Sequence, residues 1–128
     1  MLGALGDAFT QTALQPATVP FVSDTTGLLA GPEVATADYW VRHSREPVHF
    51  SEALRTALTQ GTTILIELGP GGLLPSAASV AAAAGAEWTC VPSLSRAVEP
   101  ARRLPEALAR TWVAGGPVDW SPRTTRPA

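Results

Sequence analysis

The feature that most constrains the fold lies mid-chain. Thr62-Thr63-Ile64-Leu65-Ile66-Glu67-Leu68 is almost unbroken in apolar and β-branched residues. A strand with one wet face alternates apolar and polar side chains, whereas a continuous run suits a strand buried on both faces of a parallel sheet. Gly69-Pro70-Gly71-Gly72 turns the chain out of that strand. A helix is predicted from about Leu73 to Ala84, with Pro75 tolerated in its first turn and Gly85 as its stop. Trp88 to Val91 reads as a second short strand. Strand, turn, helix and strand across 62–91 make a βαβ unit, whose crossover is right-handed. The fold class is therefore expected to be α/β.

The flanking segments are less regular. Leu2, Leu5, Ala8, Phe9 and Leu14 recur at near-helical spacing and predict a helix over 2–14. It opens without a cap, as a chain that begins inside a helix would. Phe21-Val22-Ser23 reads as a short strand ended by Asp24-Thr25-Thr26-Gly27. Thr36 or Asp38 can cap a helix running through Tyr39-Trp40-Val41-Arg42-His43. Pro47 suits the first turn of another helix, with Phe50, Ala53, Leu54, Ala57 and Leu58 as its apolar stripe and Gly61 as its stop. Residues 93–100 read as a polar loop. Residues 101–114 place Leu104, Leu108, Ala109, Trp112 and Val113 on one helical face. Gly115-Gly116-Pro117 ends that helix, Val118-Asp119-Trp120 forms a hydrophobic tether, and the tail over 121–128 is expected to be disordered.

Bulk properties narrow the function. Hydrophobic residues make up 45% and charged residues 16% of the 128, which suits a buried core. A net charge of -2 gives no field that would draw nucleic acid or an anionic membrane. The nine basic residues are all Arg, spread from Arg42 to Arg126 without an aromatic platform, so nucleic-acid binding is not expected. No stretch approaches the ~20 apolar residues of a membrane span, and no secretory signal is visible. A cytoplasmic protein is expected. The single cysteine, Cys90, reads as a small buried hydrophobe.

The residues that could carry chemistry each have a plainer reading. A glycine turn at a helix N-terminus can cradle an anion, but Gly69–Gly72 has neither dinucleotide-binding nor Walker spacing and no Lys follows. A tight connection explains it better than a nucleotide-binding module does. His43 and His49 lack a third clustered ligand, so no metal site is expected. The G-x-S-x-G elbow of a serine nucleophile is absent. Glu67 can be a general base, a solvated strand end, or a partner for a backbone N–H or an Arg. Trp40, Trp88, Trp112 and Trp120 read as packing anchors. The residues alone thus describe an α/β segment without a self-contained active site.

Three segments resemble one family in the same order: Val19 to Gly27, Asp38 to Phe50 (Asp-Tyr-Trp-Val-Arg-His-Ser-Arg-Glu-Pro-Val-His-Phe), and Ile66 to Leu74 (Ile-Glu-Leu-Gly-Pro-Gly-Gly-Leu-Leu). They are similar to the C-terminal third of the acyltransferase domain of modular type I polyketide synthases, with malonyl-CoA:acyl-carrier-protein transacylases as more distant relatives. Pro92-Ser93-Leu94-Ser95-Arg96 and Trp112 to Trp120 resemble the linker that follows this domain. The resemblance implies acyltransferase segment at 1–91, linker elements at 92–120 and a tail at 121–128. It implies the C-terminal portion of a hydrolase-like core, without the ferredoxin-like subdomain.

The family moves malonyl-type extender units from coenzyme A, through a serine ester, to the phosphopantetheine thiol of an acyl carrier protein. A histidine is the base and an arginine binds the extender carboxylate. Those groups lie upstream of Met1 in the family's register, so the resemblance implies no catalytic residue, no bound cofactor and no metal here, and it leaves the extender unit unread. One supporting role carries over. The residue at the position of His43 offers its backbone carbonyl to the ring N–H of the catalytic histidine. Leu68, Gly69 and Pro70 would help wall the same site. Implied partners are the rest of the synthase polypeptide or a separately encoded complementary fragment, and an acyl carrier protein. Asp24 departs from the family, which usually has Asn there.

Overall fold

The computed structural model describes residues 2–69, 72–95 and 97–121. The chain divides into two compact units, Met1–Gln60 and Gly61–Ala128.

The first unit is helical with one tight hairpin. Helix α1 spans Leu2–Gln11 and packs on α2, Ala37–His43. α1 ends earlier than the expected 14. Thr10 and Thr12 hydroxyls bond back to the Gly6 and Ala8 carbonyls, and the chain then turns into the proline-bracketed loop. Phe21-Val22-Ser23 is not a full strand. It makes one antiparallel bridge, Val22 with Leu29, because the chain reverses at once through Asp24–Gly27. A 3₁₀ turn, Pro32–Ala35, leads into α2. Of the two candidate caps, Thr36 is used: its hydroxyl accepts the Tyr39 N–H at 3.3 Å. Tyr39 is only 1% exposed and donates its hydroxyl hydrogen to Ser23 Oγ at 2.7 Å, so the buried phenol is satisfied. Trp40 donates its indole N–H to the Val34 carbonyl and meets the Tyr39 ring edge-on at 5.1 Å.

Helix α3 spans Phe50–Thr59. Pro47 therefore precedes the helix rather than sitting in its first turn, and His49 occupies the N-cap position. Leu54 is the buried member of the expected stripe. Burying it contributes about 2 kcal/mol. Gly61, at φ +79°, ends the helix as expected.

The second unit contains the βαβ element. Strand β1 (Ile64–Glu67) runs parallel to β2 (Thr89–Pro92), in register Ile64 to Thr89, with α4 (Leu74–Ala83) between them. Ala77, Ala81 and Val91 form its interior. Trp88 ties the start of β2 to the approach to β1 by donating to the Thr62 carbonyl at 2.7 Å. β1 is not buried on both faces: Ile66 is 43% exposed, because the sheet has only two described strands. Cys90 is half-buried, not buried; Val91 faces inward instead.

Helix α5 spans Pro100–Val113 and packs on β2. Its buried face is Ala107 and Thr111, whereas Leu104, Trp112 and Val113 of the expected stripe are exposed. Small residues bring the helix close to the sheet, and the bulky ones are turned outward. Pro105 sits inside α5 and forgoes an N–H to the Ala101 carbonyl. Trp112 and Trp120 are exposed, so only Trp40 and Trp88 act as packing anchors. Among the described residues no helix is long and apolar enough to cross a membrane. The expected disordered tail lies, beyond Ser121, outside the described residues.

Candidate functional site

His43 is the last residue of α2. A helical carbonyl normally accepts the N–H four residues on, and that position holds Pro47, which has none. The neighbouring N–H groups are used elsewhere: Ser44 donates to Trp40, while Arg45 and Glu46 both donate to Arg42. Among the described residues nothing donates to the His43 carbonyl. It is an open acceptor at the negative end of the helix dipole.

The His43 ring points back to the hairpin. Its Nε2 lies 2.9 Å from Asp24 Oδ1, with both side chains about one-third exposed (33% and 35%). Asp24 also accepts the His49 N–H on its main-chain carbonyl at 2.5 Å. The hairpin that carries Asp24 is stapled from several sides. Gly27 donates to the Ser23 carbonyl, Ser23 to Leu28, and Ala30 to Phe21. The Thr56 hydroxyl bonds to the Gly27 carbonyl. Gly27 has φ +72°, and a Cβ placed there would lie 2.5 Å from Glu52 Cβ, so the hairpin approaches α3 as closely as backbone allows.

Of the expected wall residues, Leu68 and Gly69 belong to the second unit, and Pro70 lies outside the described residues. Leu68 directly follows β1 and is 88% exposed, an apolar side chain with no cover of its own. Gly69 accepts the Leu94 N–H. Of the three readings of Glu67, the geometry matches the backbone partner: Oε1 accepts the Leu73 N–H at 3.3 Å and closes the turn between β1 and α4. Its Oε2 is buried and has no partner among the described residues. Among the described residues no group of three His, Cys, Asp or Glu side chains could hold a metal ion. The pairing of Asp24 with His43 was not foreseen. The only signal for it was the departure at Asp24, and a departure does not say which residue it faces.

No family model matches the chain. Curated proteins do. Polyketide synthase GfsB of Streptomyces halstedii is 38% identical over 110 residues, which span 84% of this chain and 2% of that protein. Spectinabilin polyketide synthase system protein NorB of Streptomyces orinoci is 32% identical over 125 residues, spanning 94% of this chain and 6% of that protein. Among solved structures, the acyltransferase domain from module 8 of the salinomycin polyketide synthase superposes with a TM-score of 0.83 at 31% identity, over 94% of this chain and 29% of that one. The domain from the second module of the same synthase gives 0.77 at 31%, over 95% and 28%. The relatives are modular polyketide synthases and the structural neighbours are their acyltransferase domains. The chain is homologous to a segment of the acyltransferase domain of type I polyketide synthases. It spans less than a third of the acyltransferase structures and a few per cent of the synthases.

Proposed function

We propose that the chain is the C-terminal portion of a polyketide synthase acyltransferase core, residues 1–91, followed by linker elements over 92–120, and that it supports acyl transfer without performing it. In the complete reaction a serine ester carries a malonyl-type unit from coenzyme A to a carrier-protein thiol. This chain contributes the His43 carbonyl, which accepts the ring N–H of a catalytic histidine and so fixes its tautomer and orientation. The observation that carries the reading is the His43 carbonyl itself, left open by Pro47. The chain contains no elbow serine. It needs no bound cofactor and works in the cytoplasm, with the rest of an acyltransferase and an acyl carrier protein as partners.

A second reading is favoured by the exposed apolar residues Ile66, Leu68 and Leu73 around the end of β1. Here the chain is a non-catalytic piece that completes a separately encoded acyltransferase fragment. The test supplies the missing part: a fragment carrying the elbow serine, made from the salinomycin module 8 domain truncated before the region this chain matches. Transfer of labelled malonyl to a carrier protein should rise when the chain is added, and His43→Pro, which keeps an acceptor but distorts its direction, should abolish the rise. No complex and no rise on co-expression would sink the complementation reading.

A further inference from the structure

The role proposed for His43 raises the question of what holds His43. We infer that Asp24 is the positioning residue of this site: it clamps both ends of the connection between α2 and α3, and so sets the direction of the His43 carbonyl. The inference rests on the role proposed for that carbonyl. Two separate contacts carry it. Asp24 Oδ1 meets His43 Nε2 at 2.9 Å, at the end of α2. The Asp24 main-chain carbonyl accepts the His49 N–H at 2.5 Å, at the start of α3. One residue therefore fixes the two ends of the segment 43–49, whose turn contains Pro47.

Asp24 can serve as a reference point because its own hairpin is held. Ser23 is locked by Leu28, Gly27 and the Tyr39 hydroxyl, and Gly27 is pressed against α3 and bonded to Thr56. The exposure of both side chains means that net charge adds little to the contact. On this inference the clamp requires an oxygen acceptor at position 24 facing a nitrogen donor at position 43 across the 2.9 Å separation. An amide at position 24 supplies the acceptor, and a glutamine at position 43 supplies the donor. The departure from the family's Asn at this position then preserves the clamp.

The experiment is amide exchange by NMR on the whole ¹⁵N-labelled chain, with the Gly27 amide as a check that the hairpin stays folded. Asp24→Ala and His43→Ala should each speed exchange of the His49 amide several-fold. The double variant should be no faster than either single one, since they break one contact. Asp24→Asn and His43→Gln should stay within about twofold of the parent, a rescue that a role in bulk packing does not predict. Unchanged exchange in Asp24→Ala, additive effects in the double variant, or failure of both conservative variants with Gly27 still protected would each overturn the assignment. If an alanine variant unfolds, the Asn and Gln variants decide alone. The measurement needs no acyl group, so its failure is separable from failure of the role proposed for His43.

Discussion

Gly27→Ala probes the close approach of the hairpin to α3 in the first unit. Two costs add. An L-residue held at φ +72° is in the left-handed region, at roughly 1–2 kcal/mol. The new methyl also lies 2.5 Å from Glu52 Cβ and 3.5 Å from the Glu52 carbonyl carbon. Neither neighbour is the end of a flexible side chain, so the hairpin or α3 must shift, at a further ~1–3 kcal/mol. The sum is about 2–5 kcal/mol, a large part of the ~5–15 kcal/mol that holds a domain together. Gly61→Ala is the control: φ is +79° there, and a Cβ added at that position would meet nothing within 4 Å. It should show the backbone cost alone, roughly 1–2 kcal/mol. Urea titrations followed by circular dichroism and tryptophan emission would read both. With a slope of ~2 kcal/mol per molar, the Gly27→Ala midpoint should fall by about 1–2.5 M, and further than that of Gly61→Ala. Equal shifts in the two variants would refute the claimed clash, and no shift in either would refute the backbone argument as well.

Three further outcomes follow from single contacts. Tyr39→Phe removes the buried hydroxyl that serves Ser23 Oγ and should cost about 1–2 kcal/mol in urea titration; an unchanged midpoint would mean that the bond is not made. The Gly31 N–H donated to Glu33 holds that carboxyl below its ordinary value of 4.5. The stability it adds is therefore present above pH 4.5 and is lost as the pH falls through the lower folded value. The gap between the parent and Glu33→Gln should be constant above pH 4.5 and shrink as the pH is taken below it; a gap that widens on acidification contradicts this. Leu68→Ser should change the stability of the isolated chain by less than ~0.5 kcal/mol because the side chain is already in solvent, and a larger loss by thermal melt would show that the residue is covered.

The βαβ unit was legible because each of its signals is local: a β-branched run, a glycine turn, an alanine-rich helix and a second strand. The stop at Gly61 and the cap at Thr36 were legible for the same reason. What covers a surface is not encoded locally. The run 62–68 has the composition of a doubly buried strand, yet Ile66 is exposed in this chain. Composition reports the environment for which a strand is built, and the coverage depends on neighbours elsewhere. The buried face of α5 was misread because Ala107 and Thr111 carry little hydrophobic signal, while the bulky Leu104, Trp112 and Val113 dominate the pattern. At the candidate site, His43 and Pro47 were both visible, but the open carbonyl follows only when the helix is known to end at His43. Asp24 and His43 meet through a hairpin that local periodicity does not encode.

The most direct test asks whether this polypeptide holds a reactive nucleophile of its own. Purified chain is incubated with radiolabelled malonyl-CoA, denatured and analysed for protein-bound label. The expected result is none. Stable labelling of any residue in the chain would contradict the supporting role proposed for it, because it would place an acyl-accepting group where only supporting structure is described.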